Sequence, residues 1–568
     1  MKIVALAGLA LTLLLPSAAS AQPGALTQAG CVSESSSGGT CADGYGIEGA
    51  TAIAISPDGR NVYVAAPATQ SLAVFARDAA TGALTELGCF TLLAAGDPHC
   101  VRVPRGLSNP VAITVSSDGR SVYVANLADE VTVFARDPNS GALSQPPTQP
   151  CIGSWMLPGC PGSGTALGAA EDVITVGSDV YVAAGGDAAI AELRRDPATS
   201  ILSQPPGRPA CISRDGMASS TTGKEADCTH AGLAVKQPTA LALTPAANHL
   251  FAVDRGGRAL WTFPRNPAGV LAMPSCVSPV DGACGIPAVH GMQAPFDVAV
   301  AADDVYVTST VPGGVAALRS APSGALSQAA SGARHGCVTN DGSDGCVQGR
   351  ALAGAEAVVV APDGRNVYVA AVLAGAIDTF ERDPPTGGLH QLDGTGGCLS
   401  YDGAGGICAQ GRLLEGVHQL VVSPDGRNLY AASYNRSAVL AFAREQPPVV
   451  SPVATPDVPA PVGDPEPAPA AAAAVVAPAA RPAITAFTAS RKRFRASAST
   501  RLRVTLTAPA TVKITVTRRG HRKALRTRTL RPGTRSLRLA SLKPGRYTAR
   551  ATIAGGAART LSLTVRRG

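Results

Sequence analysis

The chain has 568 residues, of which 15% are charged and only 4% are aromatic, and its formal net charge is +8 at pH 7. This length exceeds what one ordinary hydrophobic core accommodates, so two or more domains are expected. The 62 glycines and 45 prolines favour many short strands joined by turns and argue against a helical protein.

The first 21 residues have the features of an export signal. Lys2 supplies a positive charge, residues 3–15 form an apolar run, and Ala19-Ser20-Ala21 is a small-residue cleavage site. The apolar run is shorter than the roughly 20 residues that a spanning helix needs. We therefore predict a signal peptide over 1–21, cleaved after Ala21, and a secreted or cell-envelope-associated protein with no membrane span.

A short segment recurs throughout the next four hundred or so residues. ISPDGRNVYVAA at 55–66 returns as VSSDGRSVYVAN at 115–126, VAPDGRNVYVAA at 360–371 and VSPDGRNLYAAS at 422–433, with three weaker copies between them. One aromatic residue marks each copy, about every 61 residues: Tyr63, Tyr123, Tyr181, Phe251, Tyr306, Tyr368 and Tyr430. Such a period indicates a repeat architecture with seven units.

Each repeat contains four short strand signals separated by turns. Repeats of this kind predict an all-β, seven-bladed β-propeller with four strands per blade, over residues 22–445. A solenoid is the alternative. The chain ends favour the ring, because residues 24–28 resemble a fourth strand whereas the last repeat stops after its third, at 438–443. Pairing these two segments would close the last blade and leave no open edge.

The 14 cysteines form seven close pairs, which equals the number of repeats. In an exported chain, an even count at regular spacing predicts disulfides. Scattered buried thiols would not be spaced so evenly, and no C-x-x-C pair favours a metal site. We predict seven local bridges on the loops between blades: Cys31–Cys41, Cys89–Cys100, Cys151–Cys160, Cys211–Cys228, Cys276–Cys284, Cys337–Cys346 and Cys398–Cys408.

The start of each inner strand should lie at similar depth near the mouth of the central channel. The aligned residues are Thr51, Val111, Asp172, Thr239, Phe296, Glu356 and His418. Three of them, His418, Glu356 and Asp172, are the candidate catalytic residues, because an imidazole or a carboxylate there can serve as a general base. The alternative is a channel of water-bridged polar side chains without catalysis.

Five further residues are candidates for ligand binding. Asp297 and Gln419 lie one position further along their inner strands, and Arg105, Arg350 and Arg412 lie on loops that lead into inner strands. Guanidinium groups at a channel mouth would bind a small anionic ligand or stabilise an oxyanion.

Neither a metal nor a cofactor is expected. The segment Asn340-Asp341-Gly342-Ser343-Asp344 has the oxygen atoms of a calcium loop but lacks a closing glutamate. An Asp-Gly pair in a tight loop is usually a turn. Phosphate-loop and dinucleotide motifs are absent from the sequence.

The end of the chain has a different composition. Residues 446–482 are rich in Pro and Ala and predict a semi-rigid spacer, and residues 483–568 alternate apolar and polar positions, as in an immunoglobulin-like β-sandwich, with Tyr547 as a packed corner tyrosine. From Arg481 onward there are 23 Lys and Arg and no acidic residue, whereas positions 1–480 hold 25 basic and 40 acidic residues.

This charge segregation suggests what the tail binds. A strongly basic module would adhere to an anionic cell-envelope polymer. Docking on the acidic propeller and a merely solvated surface are the alternatives. Nucleic acid is disfavoured, because the chain is exported and few aromatic residues are available to stack on bases. We expect a monomer.

The repeat SPDGRNVYVA…FARD…TGAL resembles the YVTN-type, lactonase-like seven-bladed propellers over roughly residues 22–445. The resemblance implies the propeller fold. Enzymes of this kind include lactonases and a carboxymuconate-cyclising enzyme, which use His, Glu and Arg side chains at the channel mouth. Our main hypothesis is a secreted ligand-binding or surface-associated propeller, and a lactonase-like hydrolase is the alternative, because fold does not carry function with it.

Overall fold

A computed structural model divides the chain into two compact units, Met1–Val453 and Ala454–Gly568. It describes residues 22–34, 40–93, 98–154, 160–205, 210–217, 228–231, 235–279, 284, 288–331, 334–447, 484–489, 493–495, 500–506, 512–518, 526–530, 536–539, 543–552 and 559–566. The predicted signal peptide and nearly all of the predicted spacer lie outside the described residues. No helix in the described part is long and apolar enough to cross a membrane.

The described part of the first unit contains seven mainly antiparallel sheets, which we call blades 1 to 7 in chain order, and one small hairpin. The inner strands are Ala52–Ile55, Pro110–Val115, Ala170–Val176, Pro238–Leu243, Pro295–Ala301, Ala355–Val360 and Val417–Val422. The second strands are Asn61–Ala66, Ser121–Asn126, Asp179–Ala184, His249–Asp254, Asp304–Ser309, Asn366–Ala371 and Asn428–Ser433. The third strands are Ser71–Arg77, Glu130–Arg136, Ala189–Arg195, Ala259–Pro264, Gly314–Ser320, Ala376–Arg382 and Ala438–Arg444.

The fourth strand of most blades is divided into two pieces. These strands are Leu84–Thr91, Leu143–Ser144 with Cys151–Ser154, Leu202–Ser203 with Cys211–Ser213, Ser275–Val277, Leu326–Gln328 with Cys337–Thr339, Leu389–Gln391 with Cys398–Ser400, and Leu26–Glu34. A small hairpin pairs Ala330–Ser331 with Arg334–His335. Two 3₁₀ turns, Gly394–Gly397 and Gly403–Gly406, flank a strand of blade 6.

The seven inner strands contact one another in cyclic order, and the last, Val417–Val422, contacts the first, Ala52–Ile55. The N-terminal strand Leu26–Glu34 pairs antiparallel with Ala438–Arg444 and so provides the fourth strand of blade 7. This exchange joins the two ends of the propeller unit without an unpaired strand between them. The predictions of an all-β chain and of a propeller are confirmed.

The second strands form the centre of each blade, and every residue of Asn61–Ala66 is buried. Both faces of such a strand are covered by neighbouring blades, which explains its nearly continuous run of apolar residues. The marker Tyr63 is 0% exposed, as are the other six marker aromatics. The aromatic side chain thus fills the space between adjacent sheets, where close packing is required.

A buried arginine at the end of the third strand joins its blade to the preceding one. In blade 2, Nε of Arg136 donates to the Tyr63 hydroxyl at 2.6 Å, and Nη2 donates to Asn61 Oδ1 at 2.6 Å and to the Asp58 carboxylate at 3.1 Å. Ser-Pro-Asp-Gly-Arg-Asn-Val-Tyr and Phe-Ala-Arg recur in the sequence because one motif supplies the acceptors and the other the donor. We call this contact the arginine clasp.

Six of the seven blade boundaries have an arginine clasp, in which the carboxylate is always present but the other acceptors vary; Arg195 Nε, for example, donates to Ser121 Oγ and not to a tyrosine. The pairs are Arg77–Asp425, Arg136–Asp58, Arg195–Asp118, Arg265–Asp179, Arg382–Asp304 and Arg444–Asp363. At the boundary between blades 4 and 5, Ser320 ends the third strand and Phe251 replaces the tyrosine. That boundary has no clasp among the described residues.

All seven predicted disulfides are present. In six blades the bridge joins the fourth strand to a cysteine just before a short fifth strand, which runs parallel to the fourth. These fifth strands are Ala42–Gly44, Val101–Arg102, Gly162–Gly164, Thr229–His230, Val347–Gln348 and Ala409–Gln410. The bridges therefore lie at the outer edges of the blades, where the fifth strand covers backbone groups that would otherwise be exposed.

The second unit contains two sheets. Across the first sheet the strands follow the order Ile484–Ala489, Thr500–Leu506, Ser536–Leu539. Across the second sheet the order is Arg493–Arg495, Arg559–Arg566, Gly545–Thr552, Val512–Arg518, Arg526–Leu530. In the second sheet Tyr547 and Ala549 are buried, whereas Arg546 and Thr548 are exposed. The Tyr547 hydroxyl donates to the carbonyl oxygen of Lys543 at 2.6 Å. The alternation predicted from the sequence thus buries one face of this sheet.

Candidate functional site

The starts of the inner strands surround a cavity of about 250 Å³ at the channel mouth. Strand register divides the lining into two layers. In each blade the marker aromatic of the second strand pairs with one residue of the inner strand. The inner-strand residue three positions before that partner belongs to the mouth layer, which consists of Thr51, Val111, Glu171, Thr239, Phe296, Glu356 and His418. One position deeper lies the second layer: Ala52, Ala112, Asp172, Ala240, Asp297, Ala357 and Gln419.

The register corrects one part of the sequence alignment. Asp172 was expected in the same layer as His418 and Glu356, but Glu171 occupies that position and Asp172 lies in the second layer. The cause is a shorter turn between the first two strands of blade 3, where Tyr181 pairs with Ile174, seven positions before it, whereas in blade 1 Tyr63 pairs with Ala54, nine positions before it. A β-bulge shifts the register at the mouth of this strand as well, but it does not explain the difference, because five other inner strands have a register shift there too.

Two predicted catalytic residues meet in the mouth layer. Nδ1 of His418 lies 2.9 Å from Oε2 of Glu356, and the two side chains are 30% and 17% exposed. They come from the adjacent blades 7 and 6. The ring of Tyr434 stands edge-on to the imidazole, with 5.6 Å between the ring centroids. The backbone oxygen of Glu356 accepts from Thr308 Oγ1 at 2.7 Å. The imidazole thus lies between a carboxylate and an aromatic ring, with Oε2 of Glu356 at ion-pair distance but without the angle of a hydrogen bond.

The polar residues of the second layer bind the backbone of the next blade. Asp172 Oδ2 accepts from the backbone N–H of Leu241 at 2.7 Å, and Asp297 Oδ2 accepts from that of Val358 at 2.9 Å. Gln419 Oε1 accepts from the backbone N–H of an inner-strand residue of blade 1 at 2.7 Å. Asp172, Asp297 and Gln419 line the cavity, but these contacts join inner strands to one another.

Burial alters the protonation of both aspartates. It raises the pKa of Asp172 to about 6 and that of Asp297 to about 7, although two backbone N–H donors favour the ionised form of each carboxylate. The charge of Asp172 further raises the pKa of Asp297. When folding raises the pKa of a carboxyl group, the protonated form of that group stabilises the fold. The stabilisation is complete when the pH is below the pKa in the unfolded chain, near 4, and it is lost as the pH rises through the pKa in the folded chain.

The variant Asp297→Asn should therefore lose less stability than the wild type when pH rises from 5 to 8. We expect the difference in free energy of unfolding between the two proteins to shift by on the order of 2 kcal/mol in favour of the variant over this range. Denaturant unfolding at several pH values measures it, and Asp303→Asn, at an exposed position, is the control. Parallel pH profiles for wild type and Asp297→Asn would contradict the assignment.

The three predicted ligand-binding arginines do not line the described cavity. The Arg350 guanidinium donates to the carbonyl oxygen of Leu392. Burial raises the pKa of Asp378, and the charge of Arg350 partly offsets this by favouring the ionised carboxylate. Arg105 and Arg412 are exposed. The prediction that these arginines converge on the mouth is wrong, because loop position in the sequence does not determine the direction of a long side chain.

Arg255, which was not among the candidates from the sequence, lies beside a residue of the mouth layer. The guanidinium carbon of Arg255 lies 5.2 Å from the centroid of the Phe296 ring. Burial raises the pKa of Glu171, whereas a hydrogen bond from Gln237 Nε2 at 3.1 Å and the charge of Arg255 lower it. The signal in the sequence is the pair Asp254-Arg255, at the end of the marker strand of blade 4.

Residues 340–344, which have the oxygen atoms of a calcium loop, form a turn. Asn340 Oδ1 accepts from the backbone N–H of Leu352, Asp341 Oδ1 from that of Ser343, and Asp344 Oδ2 from that of Gly291. Elsewhere in the described residues, Glu130 lies beside Cys151 and Cys160. Both sulfur atoms belong to a disulfide and are not thiolate ligands.

A model of the family described as lactonase, seven-bladed β-propeller, matches residues 17–156. Over that part of the chain the propeller is similar to this lactonase-like, seven-bladed family. Solved structures similar to the lactonase-like propeller include a putative 6-phosphogluconolactonase from Bacteroides fragilis, with a TM-score of 0.41, 17% identity and coverage of 60% of this chain and 82% of that chain. The periplasmic gluconolactonase of Pseudomonas aeruginosa has a TM-score of 0.41 and 16% identity, with coverage of 60% of this chain and 83% of that chain.

Another similar structure is the hydrazine synthase of Kuenenia stuttgartiensis, with a TM-score of 0.44, 16% identity and coverage of 70% of this chain and 96% of that chain. No curated protein sequence matches this chain.

Proposed function

We propose that the lactonase-like propeller hydrolyses a lactone at its channel mouth. The observation that carries this proposal is the 2.9 Å contact between His418 Nδ1 and Glu356 Oε2, in a cavity at the centre of the ring. An imidazole oriented by a carboxylate is a common general base. The family match favours this function over the secreted binding protein that was our main hypothesis from the sequence.

The proposed reaction uses His418 as the base. The Glu356 carboxylate favours a proton on Nδ1, so Nε2 has a free lone pair. Nε2 removes a proton from water, and the water oxygen forms a bond to the lactone carbonyl carbon. The bond from this carbon to the ring oxygen then breaks, and the imidazolium returns the proton to the leaving alkoxide, which yields a hydroxy acid.

Thr51 is positioned for a supporting role. It lies in the mouth layer of blade 1, next to the blade of His418, and its Oγ1 is buried without a hydrogen-bond partner among the described residues. A buried hydroxyl without a partner is energetically unfavourable. We assign it as a donor to the oxyanion that develops on the carbonyl oxygen.

The test is turnover of a panel of lactones by the full chain. The wild type should hydrolyse at least one member, and the double variant His418→Ala/Glu356→Ala should not. His390→Gln is the control, because His390 lies 3.7 Å from Asp393 in an exposed pair. Turnover that survives in the double variant would remove the site assignment, and no turnover by the wild type would remove the proposed activity.

A second proposal concerns the basic unit, which we assign as an immunoglobulin-like module that adheres to anionic cell-envelope polymer in an exported protein. The Tyr547 hydroxyl bond to a carbonyl four residues upstream supports the module, since corner tyrosines make this bond in such sandwiches. The 23 basic residues after position 480 support adhesion.

The adhesion proposal predicts salt-sensitive retention. The full chain should bind an anionic polysaccharide resin at low ionic strength and elute as salt is raised, because screening weakens such contacts. A chain that ends at residue 447 should flow through. Equal retention of both chains would contradict the proposal.

A further inference from the structure

The mouth of the lactonase-like propeller has two chemically distinct halves. His418 and Glu356 lie on blades 7 and 6. On the other half, Glu171, Thr239 and Phe296 line the cavity from blades 3, 4 and 5. Gln237 Nε2 donates to Glu171 Oε1 at 3.1 Å, and the Arg255 guanidinium lies over the Phe296 ring. We call Glu171, Gln237, Arg255 and Phe296 the recognition half.

A buried aspartate fixes this recognition half. Asp254 is 0% exposed, and its Oδ1 accepts from the backbone N–H groups of Gln237 and Gly257 at 2.8 Å each. Its Oδ2 accepts from the backbone N–H of Lys236 at 3.0 Å and from Nε1 of Trp261 at 3.1 Å. Four donors on one buried carboxylate hold together the two loops that carry Gln237 and Arg255, so the recognition half is preorganised.

The charges of the mouth oppose an anionic ligand. Four carboxyl groups line the cavity, those of Glu171, Asp172, Asp297 and Glu356, and the described lining contains no lysine or arginine. Because burial raises the pKa of Asp297 to about 7, the negative charge at neutral pH comes chiefly from the other three. Arg255 stands over Phe296 and already interacts with Glu171. A phosphate or a second carboxylate on the substrate would meet like charge at short range, and like-charge pairs at a binding site are strongly unfavourable.

We infer that the recognition half selects an uncharged, hydroxyl-bearing lactone and rejects phosphorylated or carboxylated lactones, with Glu171 as the specificity-determining residue. This inference rests on the proposed function. Glu171, fixed by the bond from Gln237 Nε2, and the hydroxyl oxygen of Thr239, whose proton goes to the backbone oxygen of Phe296, offer acceptors to ring hydroxyls, and Phe296 offers an apolar face to the ring. A cavity of about 250 Å³ suits one small ring.

The same charges act after the reaction. Hydrolysis of an uncharged lactone produces a carboxylate, so the product gains the charge that the mouth opposes. Glu171 and Glu356 therefore favour release of the product and weaken inhibition by it.

The first test compares glucono-1,5-lactone with its 6-phosphorylated form at pH 7, where the phosphate carries about −1.5 to −2 charges. With spontaneous hydrolysis subtracted, we expect kcat/KM of the full chain to be at least about tenfold higher for the uncharged lactone. Glu171→Gln should reduce this ratio at least about threefold by lowering KM for the phosphorylated lactone. The control is Glu381→Gln, at an exposed position on the third strand of blade 6.

Equal or better turnover of the phosphorylated lactone would overturn the inference and leave the proposed hydrolase intact. A binding measurement keeps the inference testable even without turnover. Calorimetric titration of the full chain with gluconolactam, which has an amide in place of the ester, should show tighter binding than titration with its 6-phosphate. Equal affinity, tighter binding of the phosphate, or binding of neither compound would overturn the inference.

Discussion

Replacement of Arg136 by alanine should lower the free energy of unfolding of the lactonase-like propeller by about 2–4 kcal/mol. The Arg136 side chain is fully buried, and its removal leaves the Tyr63 hydroxyl, Asn61 Oδ1 and the carboxylate of Asp58 without their donor. Asp58 is 33% exposed and can be rehydrated, which keeps the loss below that of a fully buried ion pair.

Denaturant unfolding of the full chain, followed by tyrosine fluorescence and far-UV circular dichroism, measures this effect. Arg120→Ala is the matched control, because Arg120 lies on the adjacent turn of the same blade and is exposed. Its effect should stay within about 0.5 kcal/mol. Arg136→Lys should also destabilise, since an ammonium group cannot donate to three acceptors with the geometry of a guanidinium. Equal stability of Arg136→Ala and Arg120→Ala would show that the clasp contributes little.

The variant His418→Gln should lower kcat/KM for the preferred lactone by about 10²–10⁴-fold, which is the usual contribution of a general base. Glutamine keeps a polar side chain at the mouth but cannot remove a proton from water. Because His418 is 30% exposed, the substitution should change the unfolding midpoint little. Steady-state kinetics and thermal unfolding of the same samples separate loss of chemistry from loss of fold.

Glu356→Gln provides an independent check on the same pair. An amide in this position removes the negative charge and can itself donate to Nδ1 of His418, which favours the tautomer with its proton on the wrong nitrogen. We expect at least about a tenfold loss in kcat with little change in KM. A loss confined to KM would mean that Glu356 binds substrate and does not orient the imidazole.

The repeated residues made the propeller predictable. Tyr63 and its six equivalents fill the spaces between sheets, and the regular cysteine pairs identified all seven bridges. The contact between His418 and Glu356 was predictable as well, because equivalent positions on adjacent blades lie at equal depth. Each of these features depends on periodicity, which the sequence displays directly.

The misplaced residues depend on features without a period. Asp172 lies in the second layer and not in the mouth layer, because the first turn of blade 3 is shorter than that of blade 1 and the two repeats align only with a gap. Arg350 turns to the carbonyl oxygen of Leu392, a contact set by tertiary packing. Arg255 was missed because its position over Phe296 depends on the loop that Asp254 organises. Nonrepeated loops therefore determine the part of the site that selects the ligand.

The central claim is that lactone chemistry takes place beside His418 at the channel mouth. A crystal structure of the full chain with gluconolactam tests it most directly. We expect the lactam in the mouth cavity, with its carbonyl carbon within about 3.5 Å of a water molecule held by the His418 imidazole. A lactam bound elsewhere on the propeller, or bound in the mouth with its carbonyl turned away from His418, would contradict the account.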